Sequence, residues 1–423
     1  MNTAAKQETP DSHRIARAFG VALRATPDGD DAEATRPLVD SLLADAVRER
    51  ASDIHLDSQS DQVRVRFRID GTVRDAASVP MKRGVKLLRY LKVNSNLDPA
   101  PSLLPADSHF DYELDGAALA IRLACAPCVF GDKISLRLFH GLPARQRLAD
   151  IGLCVDDLAR IQRWLGDISG MFVVAGPVGC GKTTTLYALL SELNLTQRQI
   201  ITIEDPVEYR FENINQIEVN TKRGLTFEEG LRSILRLDPD YILLGEIRDK
   251  VSAMAAMEAA ATGRVVLTTM HGRNATGVIT ALRSLGVSDY EIAASLAFIV
   301  GQRLVRKLCT DCRRLEPPTA QECHWLESLG EKAPGSVWRP GGCPQCAGTG
   351  YFERTGVFEV LPVDEQLYDM IVAGKDEHAL RAHLRGEGFR LLLRDALAKA
   401  AEGFTDLSEL TRIGAQSYLD QVK

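Results

Sequence analysis

The run GPVGCGKTTTLYALL, from Gly176 to Leu190, decides how this chain is read. It fits the template G-x-x-x-x-G-K-[ST] and stands where that template has meaning. Met171, Phe172, Val173 and Val174 before it read as a buried strand, and Leu186, Leu189, Leu190 and Leu193 after it recur at helical spacing. A glycine-rich turn between strand and helix curls the backbone so that its N–H groups and the helix N-terminus face a polyphosphate. The expected cradle is Gly176, Pro177, Val178, Gly179, Cys180, Gly181, Lys182, Thr183 and Thr184. In it Lys182 reaches the β- and γ-phosphates and Thr183 ligates Mg²⁺. Cys180, beside a lysine at a helix N-terminus, is expected to have a lowered thiol pKa and enhanced reactivity.

Composition sets the surroundings. At 423 residues the chain is long enough for two or three domains. Hydrophobic content of 45%, charged content of 26% and the lack of an 18-residue apolar run exclude a membrane-spanning helix. The polar start MNTAAKQETPDSH lacks the apolar core of a signal peptide, so a cytoplasmic protein is expected. A net charge of −6 supplies no global field for nucleic acid. Nine cysteines in that compartment point to metal or free thiols, not disulfides.

Along the chain, residues 1–35 read as a mobile tail. Within it Ile15, Phe19 and Leu23, near Arg14, Arg17 and Arg24, form a short amphipathic patch suited to a partner or membrane surface, or to a fraying helix. Residues 36–140 form a smaller α/β domain. Helices are expected over Pro37 to Arg50 and Val85 to Val93, and strands over Ile54 to Asp57, Val63 to Ile69, Ala118 to Ala124 and Lys133 to Phe139, with a hairpin signal at Asp70-Gly71. A linker over 141–150 carries Gly141, Pro143 and Arg145. Residues 151–308 alternate strands and helices, the pattern of a mainly parallel sheet. A cysteine-bearing module (309–360) and a helical C-terminal region (361–423) complete the chain.

Two carboxylates fall at strand ends, where α/β sheets bind ligands. ITIEDPVEY ends its apolar strand in Glu204, placed to orient an attacking water. DYILLGEIRD leads from Tyr241 to Leu244 into Glu246, placed to act on Mg²⁺ or its water. VVLTTMH ends in His271, on the same sheet edge and so placed to sense a γ-phosphate. Cys309-x2-Cys312 and Cys343-x2-Cys346 supply the four thiolates of a tetrahedral Zn²⁺ site. Cys323 and His324, between the pairs, are weaker candidates. Cys125-Ala-Pro-Cys128 has redox spacing but lacks the strand-to-helix setting that redox pairs use, and reads as coincidence.

Taken together, these motifs resemble the secretion ATPases of type II secretion and type IV pilus extension. The resemblance spans roughly Arg36 to Ile413 and rests on GPVGCGKTTTLYALL, ITIEDPVEY, LRLDPDYILLGEIRD, ATGRVVLTTMH, GQRLVRKLC, GGCPQC and GTGYFERTGVFEVLPVD. It implies a RecA-like ATPase domain that hydrolyses MgATP, in a homo-oligomer, specifically a hexamer. An N-terminal domain containing ASDIHLD and VRVRFRIDG would clamp over a neighbour, with Arg68, Arg122 and Arg137 matching family arginines that neutralise transition-state charge. It further implies an inner-membrane platform protein as partner, pilin or pseudopilin subunits as cargo, peripheral attachment to that membrane, and no direct nucleic-acid partner. The alternatives are a DNA-uptake or nucleic-acid-translocating ATPase and a weakly active regulatory relative. The last is motivated by departures: Pro101, Ser102 and Leu103 stand where paired arginines are usual, Arg264 replaces a histidine, and Gly272-Arg273 replaces Thr-Asn.

Overall fold

In the computed structural model, residues 17–25, 32–139, 147–167, 169–193 and 197–413 are described. The chain divides into two compact units, 1–141 and 142–423. Gly141, Pro143 and Arg145 of the expected linker lie outside the described residues, as does Ile15.

The first unit is built on a fully antiparallel sheet of β1 (Ala51–Ser58), β2 (Gln62–Ile69), β3 (Thr72–Pro80), β4 (Ala106–Leu114), β5 (Ala117–Cys128) and β6 (Gly131–Phe139), in the order β3-β2-β1-β6-β5-β4. The alternation in QVRVRFRI makes β2 a half-buried strand: Val63, Val65, Phe67 and Ile69 turn inward, and Gln62, Arg64, Arg66 and Arg68 turn outward. The inner residues share one core with Leu42 and Leu43 of the helix Ala32–Arg48 and Leu87 and Leu91 of the helix Met81–Asn94.

Two sequence expectations change here. The region read as tail contains the helix Arg17–Ala25 and the first turns of Ala32–Arg48. Moreover, Phe19 of the amphipathic patch is fully buried in the unit's own core, and its N–H donates to buried Asp45 at 2.8 Å. The described part of the patch is therefore neither a fraying helix nor an open docking surface; Phe19, with Ala22 and Leu23 packed beside it, seats the helix on the core. Strands β3 and β4 are the sheet's edges, where few side chains are fully buried; β4 keeps its alternation, with Ala106, Phe110, Tyr112 and Leu114 on one face, but only Tyr112 of them is buried.

The second unit carries β7 (Gly170–Ala175), β8 (Ile200–Glu204), β9 (Asn215–Glu218), β10 (Tyr241–Leu244), β11 (Val265–Met270), β12 (Leu296–Leu308), the short ribbon of β13 (Arg314–Glu316) and β14 (Val337–Arg339), and β15 (Tyr351–Pro362). Its main sheet has the order β15-β12-β7-β11-β10-β8-β9, parallel except for the antiparallel pair β12/β15. Every residue of β7, β8, β10 and β11 is buried, which is why these strands read as continuous apolar runs. Along β7, Met171 and Val173 enter one core while Phe172 and Val174 enter another, so helices cover both faces. Polar chemistry is left to the strand ends. The cysteine-bearing segment and the C-terminal helices belong to this unit, since β15 returns into the main sheet and the helix Leu392–Ala401 packs with Val305 and Val357.

Candidate functional site

The loop after β7 closes on itself. Gly176 donates its N–H to Met270 at 3.3 Å, and a Cβ there would lie 2.4 Å from the Cys180 sulfur and 2.6 Å from the Gln302 carbonyl oxygen. Only glycine fits. Gly179 (φ 75°) and Gly181 (φ 87°) take left-handed conformations that bring the chain into the helix Lys182–Glu192. Lys182 folds its ammonium back onto the carbonyl oxygens of Gly176 (3.0 Å) and Pro177 (3.2 Å), at the mouth of the loop. Pro177, Val178 and Gly179 are exposed, and Thr183 and Thr184 lie half-buried in the first helical turn, whose free N–H groups suit a phosphate.

On the same sheet edge, hydrogen bonds from Ile247 N–H to the Thr269 carbonyl (3.0 Å) and from the Thr269 hydroxyl to the Gly245 carbonyl (2.8 Å) pin the turn that carries Glu246. Glu246 Oε2 accepts from Arg248 Nε at 2.7 Å, and His271 Nε2 lies 2.8 Å from Oε1. The structure thus brings Glu246 and His271 together just beyond β10 and β11. The Thr183 hydroxyl and the Glu246 carboxylate are the hard oxygen donors that Mg²⁺ prefers, so the residues present fit that ion.

Glu204 is placed differently from the expectation of a water-facing group. It is 3% exposed and accepts hydrogen bonds from the hydroxyls of Tyr187 and Thr202 and from Gln216 Nε2 at 3.2 Å. Tyr187 belongs to the phosphate-loop helix, so this carboxylate ties β8 to that helix. Cys180 also departs from its expected reactivity: it is buried, and burial pushes its thiol up despite the opposing charges of Lys182 and Arg303. Two residues of β12 that sequence reading passed over complete the loop's setting. Gln302 is buried against the loop, and Arg303 donates to the carbonyls of Gln302 and Arg273. The available signal was a glutamine inside the apolar run LAFIVGQRLV.

In the first unit, Arg68, Arg122 and Arg137 share one transverse row. Asp53 faces Arg68 on one side and Arg137 on the other, and Arg137 faces Arg122. Asp53 pairs with Arg137 at 3.1 Å and Arg68 at 3.5 Å, while Arg122 reaches Asp107 at 3.8 Å.

Cys309, Cys312, Cys343 and Cys346 converge, with all four sulfurs within 4.8 Å of one another. Three of the separations are 3.7 Å, close to the edge of ~3.8 Å of a tetrahedron with Zn–S bonds of ~2.3 Å. The N–H groups of Gly342, Cys343 and Gly350 point at sulfur from 3.1, 3.2 and 3.1 Å. Burial opposes ionisation of Cys346, yet the Cys343 and Gly350 N–H groups bring its pKa down to about 6. The donor set fits structural Zn²⁺. Cys323 and His324 lie on the helix Ala320–Ser328, outside the cluster.

The profile of the family "Type II/IV secretion system protein" matches residues 28–412. The chain is 38% identical to the type II secretion system protein E of Klebsiella pneumoniae, over 92% of this chain and 77% of the relative. It is 37% identical to the type II secretion system ATPase E of Vibrio cholerae, over 92% and 76%. Among solved structures, the Legionella pneumophila ATPase DotB aligns with a TM-score of 0.66 at 21% identity, over 89% of this chain and 95% of that one. The pilus retraction motor PilT with bound ADP aligns with a TM-score of 0.58 at 22% identity, over 89% and 96%. Family profile, relatives and fold agree, and the chain belongs to the type II/IV secretion system protein family.

Proposed function

We propose that this protein is an ATP-hydrolysing motor of a type II secretion system or a closely related pilus assembly machine. The observation that carries the reading is the convergence of three elements on one sheet edge: the closed loop with Lys182 at its mouth, Glu246 beyond β10 and His271 beyond β11. Lys182, the loop N–H groups and Thr183 hold MgATP. Mg²⁺ supplies charge neutralisation at the β- and γ-phosphates when bound. Glu246 takes up the proton of the attacking water, and His271, beside it, registers whether the γ-phosphate is present. Glu204 acts through Tyr187, fixing the loop helix on the sheet.

The family resemblance supports a homo-oligomeric, hexameric assembly in which Arg68, Arg122 and Arg137 of the first unit serve a neighbour's nucleotide. It also supports an inner-membrane platform protein as the part that the motor turns, with pilin or pseudopilin subunits as cargo. Among the described residues no helix is long and apolar enough to cross a membrane. Membrane attachment would therefore pass through partners. The test is export or fibre assembly in cells that lack the native protein and receive either wild type or Lys182→Ala at equal abundance. Wild type restores assembly and Lys182→Ala does not; equal restoration by both contradicts the motor.

A further inference from the structure

We infer that Gln302 is the positioning residue that sets the shape of the nucleotide-binding loop, through a two-ended hydrogen-bond clamp between β12 and the start of the loop helix. Its side chain is 2% exposed and stands in a strand otherwise rich in Ile299, Val300, Leu304 and Val305. A primary amide is costly to bury unless both of its ends are satisfied. Both are. Nε2 donates to the Cys180 carbonyl at 2.8 Å, and Oε1 accepts from the Thr185 hydroxyl at 2.7 Å.

The consequence follows from peptide planarity. The carbonyl of Cys180 and the N–H of Gly181 belong to one trans peptide and point in opposite directions. Holding the carbonyl against Gln302 therefore turns the Gly181 N–H away from β12. Thr185 lies one turn further on, its N–H bonded to the Gly181 carbonyl at 3.1 Å, so the other end of the same amide fixes the first turn of the helix that begins with Lys182 and Thr183. The fit leaves little slack: a Cβ on Gly181 would sit 3.0 Å from Nε2. The loop is shaped before any ligand arrives, and this lowers the ordering cost of binding.

This inference rests on the phosphate-loop reading. Because preorganisation serves ground state and transition state alike, its loss raises KM and leaves kcat nearly unchanged. The experiment uses the full-length, zinc-loaded protein and measures the Kd for MgADP, together with KM and kcat for MgATP. Gln302→Met removes both hydrogen bonds of the amide and is expected to raise Kd and KM at least roughly tenfold, with kcat within about threefold of wild type. Thr185→Val is expected to weaken binding several-fold, Thr185→Ser to restore it, and the double variant Gln302→Met/Thr185→Val to be no weaker than Gln302→Met, since the two share one network. Unchanged Kd and KM in Gln302→Met, or effects that multiply in full in the double variant, overturn the inference. Should Gln302→Met fail to fold, the contrast between Thr185→Val and Thr185→Ser decides it: equal affinities overturn the clamp. Lys182→Ala is measured alongside. Normal nucleotide binding and turnover there overturn the loop reading itself, whereas a defective Lys182→Ala beside a normal Gln302→Met overturns only the role of Gln302.

Discussion

The two sheets of this protein solve opposite problems. The sheet of the second unit is covered on both faces, so its candidate functional groups lie in loops beyond the strand ends, where Glu246 meets His271 on the same edge as the loop that carries Lys182. The sheet of the first unit packs one face on helices, and its other face carries the charged row Arg68, Asp53, Arg137 and Arg122. In one unit the candidate residues gather at an edge, and in the other on a face. The difference lies in solvent access. Glu204, on a strand buried on both sides, has its carboxylate taken up by three protein donors, whereas the side chains of Arg68, Arg122 and Arg137 on the first sheet are partly open to solvent.

The sharpest way to break this comparison is at the strand ends. Glu246→Gln is expected to retain MgATP binding and to slow hydrolysis by roughly 10²–10⁴-fold, as read by single-turnover kinetics. Glu204→Gln is expected to lose less, because it loosens the tie to Tyr187 without touching the phosphates; a larger loss there moves the water-orienting role to Glu204. Next in size is the cysteine cluster. Serine at Cys309, Cys312, Cys343 and Cys346 together should reduce zinc from about one ion per chain to none, and hydrogen exchange should rise first in β15 and the helices after it. Zinc retained by that variant removes the site.

On the open face, Arg137→Ala should shift thermal stability by no more than about 1 kcal/mol, since the Arg137 side chain is half-exposed and Asp53 keeps Arg68 and the Ser52 hydroxyl as partners. ATP turnover of the assembled protein should nevertheless fall roughly tenfold if the row serves a neighbour's nucleotide. Unaltered turnover would leave the row a surface network. The smallest effect expected is one of pH. Arg339 binds Glu322 through two hydrogen bonds of 2.5 and 2.6 Å and holds its pKa at about 2. Because the folded value lies below the ordinary 4.5, the stabilisation is present above that value and is lost as pH falls toward about 2. Fluorescence of Trp325 and Trp338 on acid titration should report the local loosening, and Glu322→Gln should flatten that response.

Legibility in the sequence followed burial. Strands β7, β8, β10 and β11 were readable because full burial keeps them mostly apolar, with Thr202, Glu204, Thr268 and Thr269 as the polar members, and the loop because its glycines sit where a side chain would clash or strain the backbone. The cysteine pairs were readable because metal ligands must recur at short spacing. Edges were less so: β3 and β9 bury little and leave no period, and β4 alternates with only Tyr112 fully buried. Long-range polar contacts were equally silent. Nothing near Glu204 in the chain announces Tyr187 and Gln216 as its partners, nothing near Cys180 announces burial by Gln302, and the sequence separation of 117 between Thr185 and Gln302 hides their bond. The amphipathic period around Phe19 was visible, but a period alone does not say that Phe19, with Ala22 and Leu23, packs on this unit's own core.

The central claim is that the loop from Gly176 to Thr184 is the seat of ATP hydrolysis, and steady-state release of phosphate from MgATP by purified wild type and Lys182→Ala tests it most directly. Removing the ammonium at the loop mouth takes a positive charge from the β- and γ-phosphates while the glycine-built backbone remains. The account predicts measurable turnover in wild type and none above background in Lys182→Ala, with both proteins folded and zinc-loaded. Equal turnover in the two would contradict it.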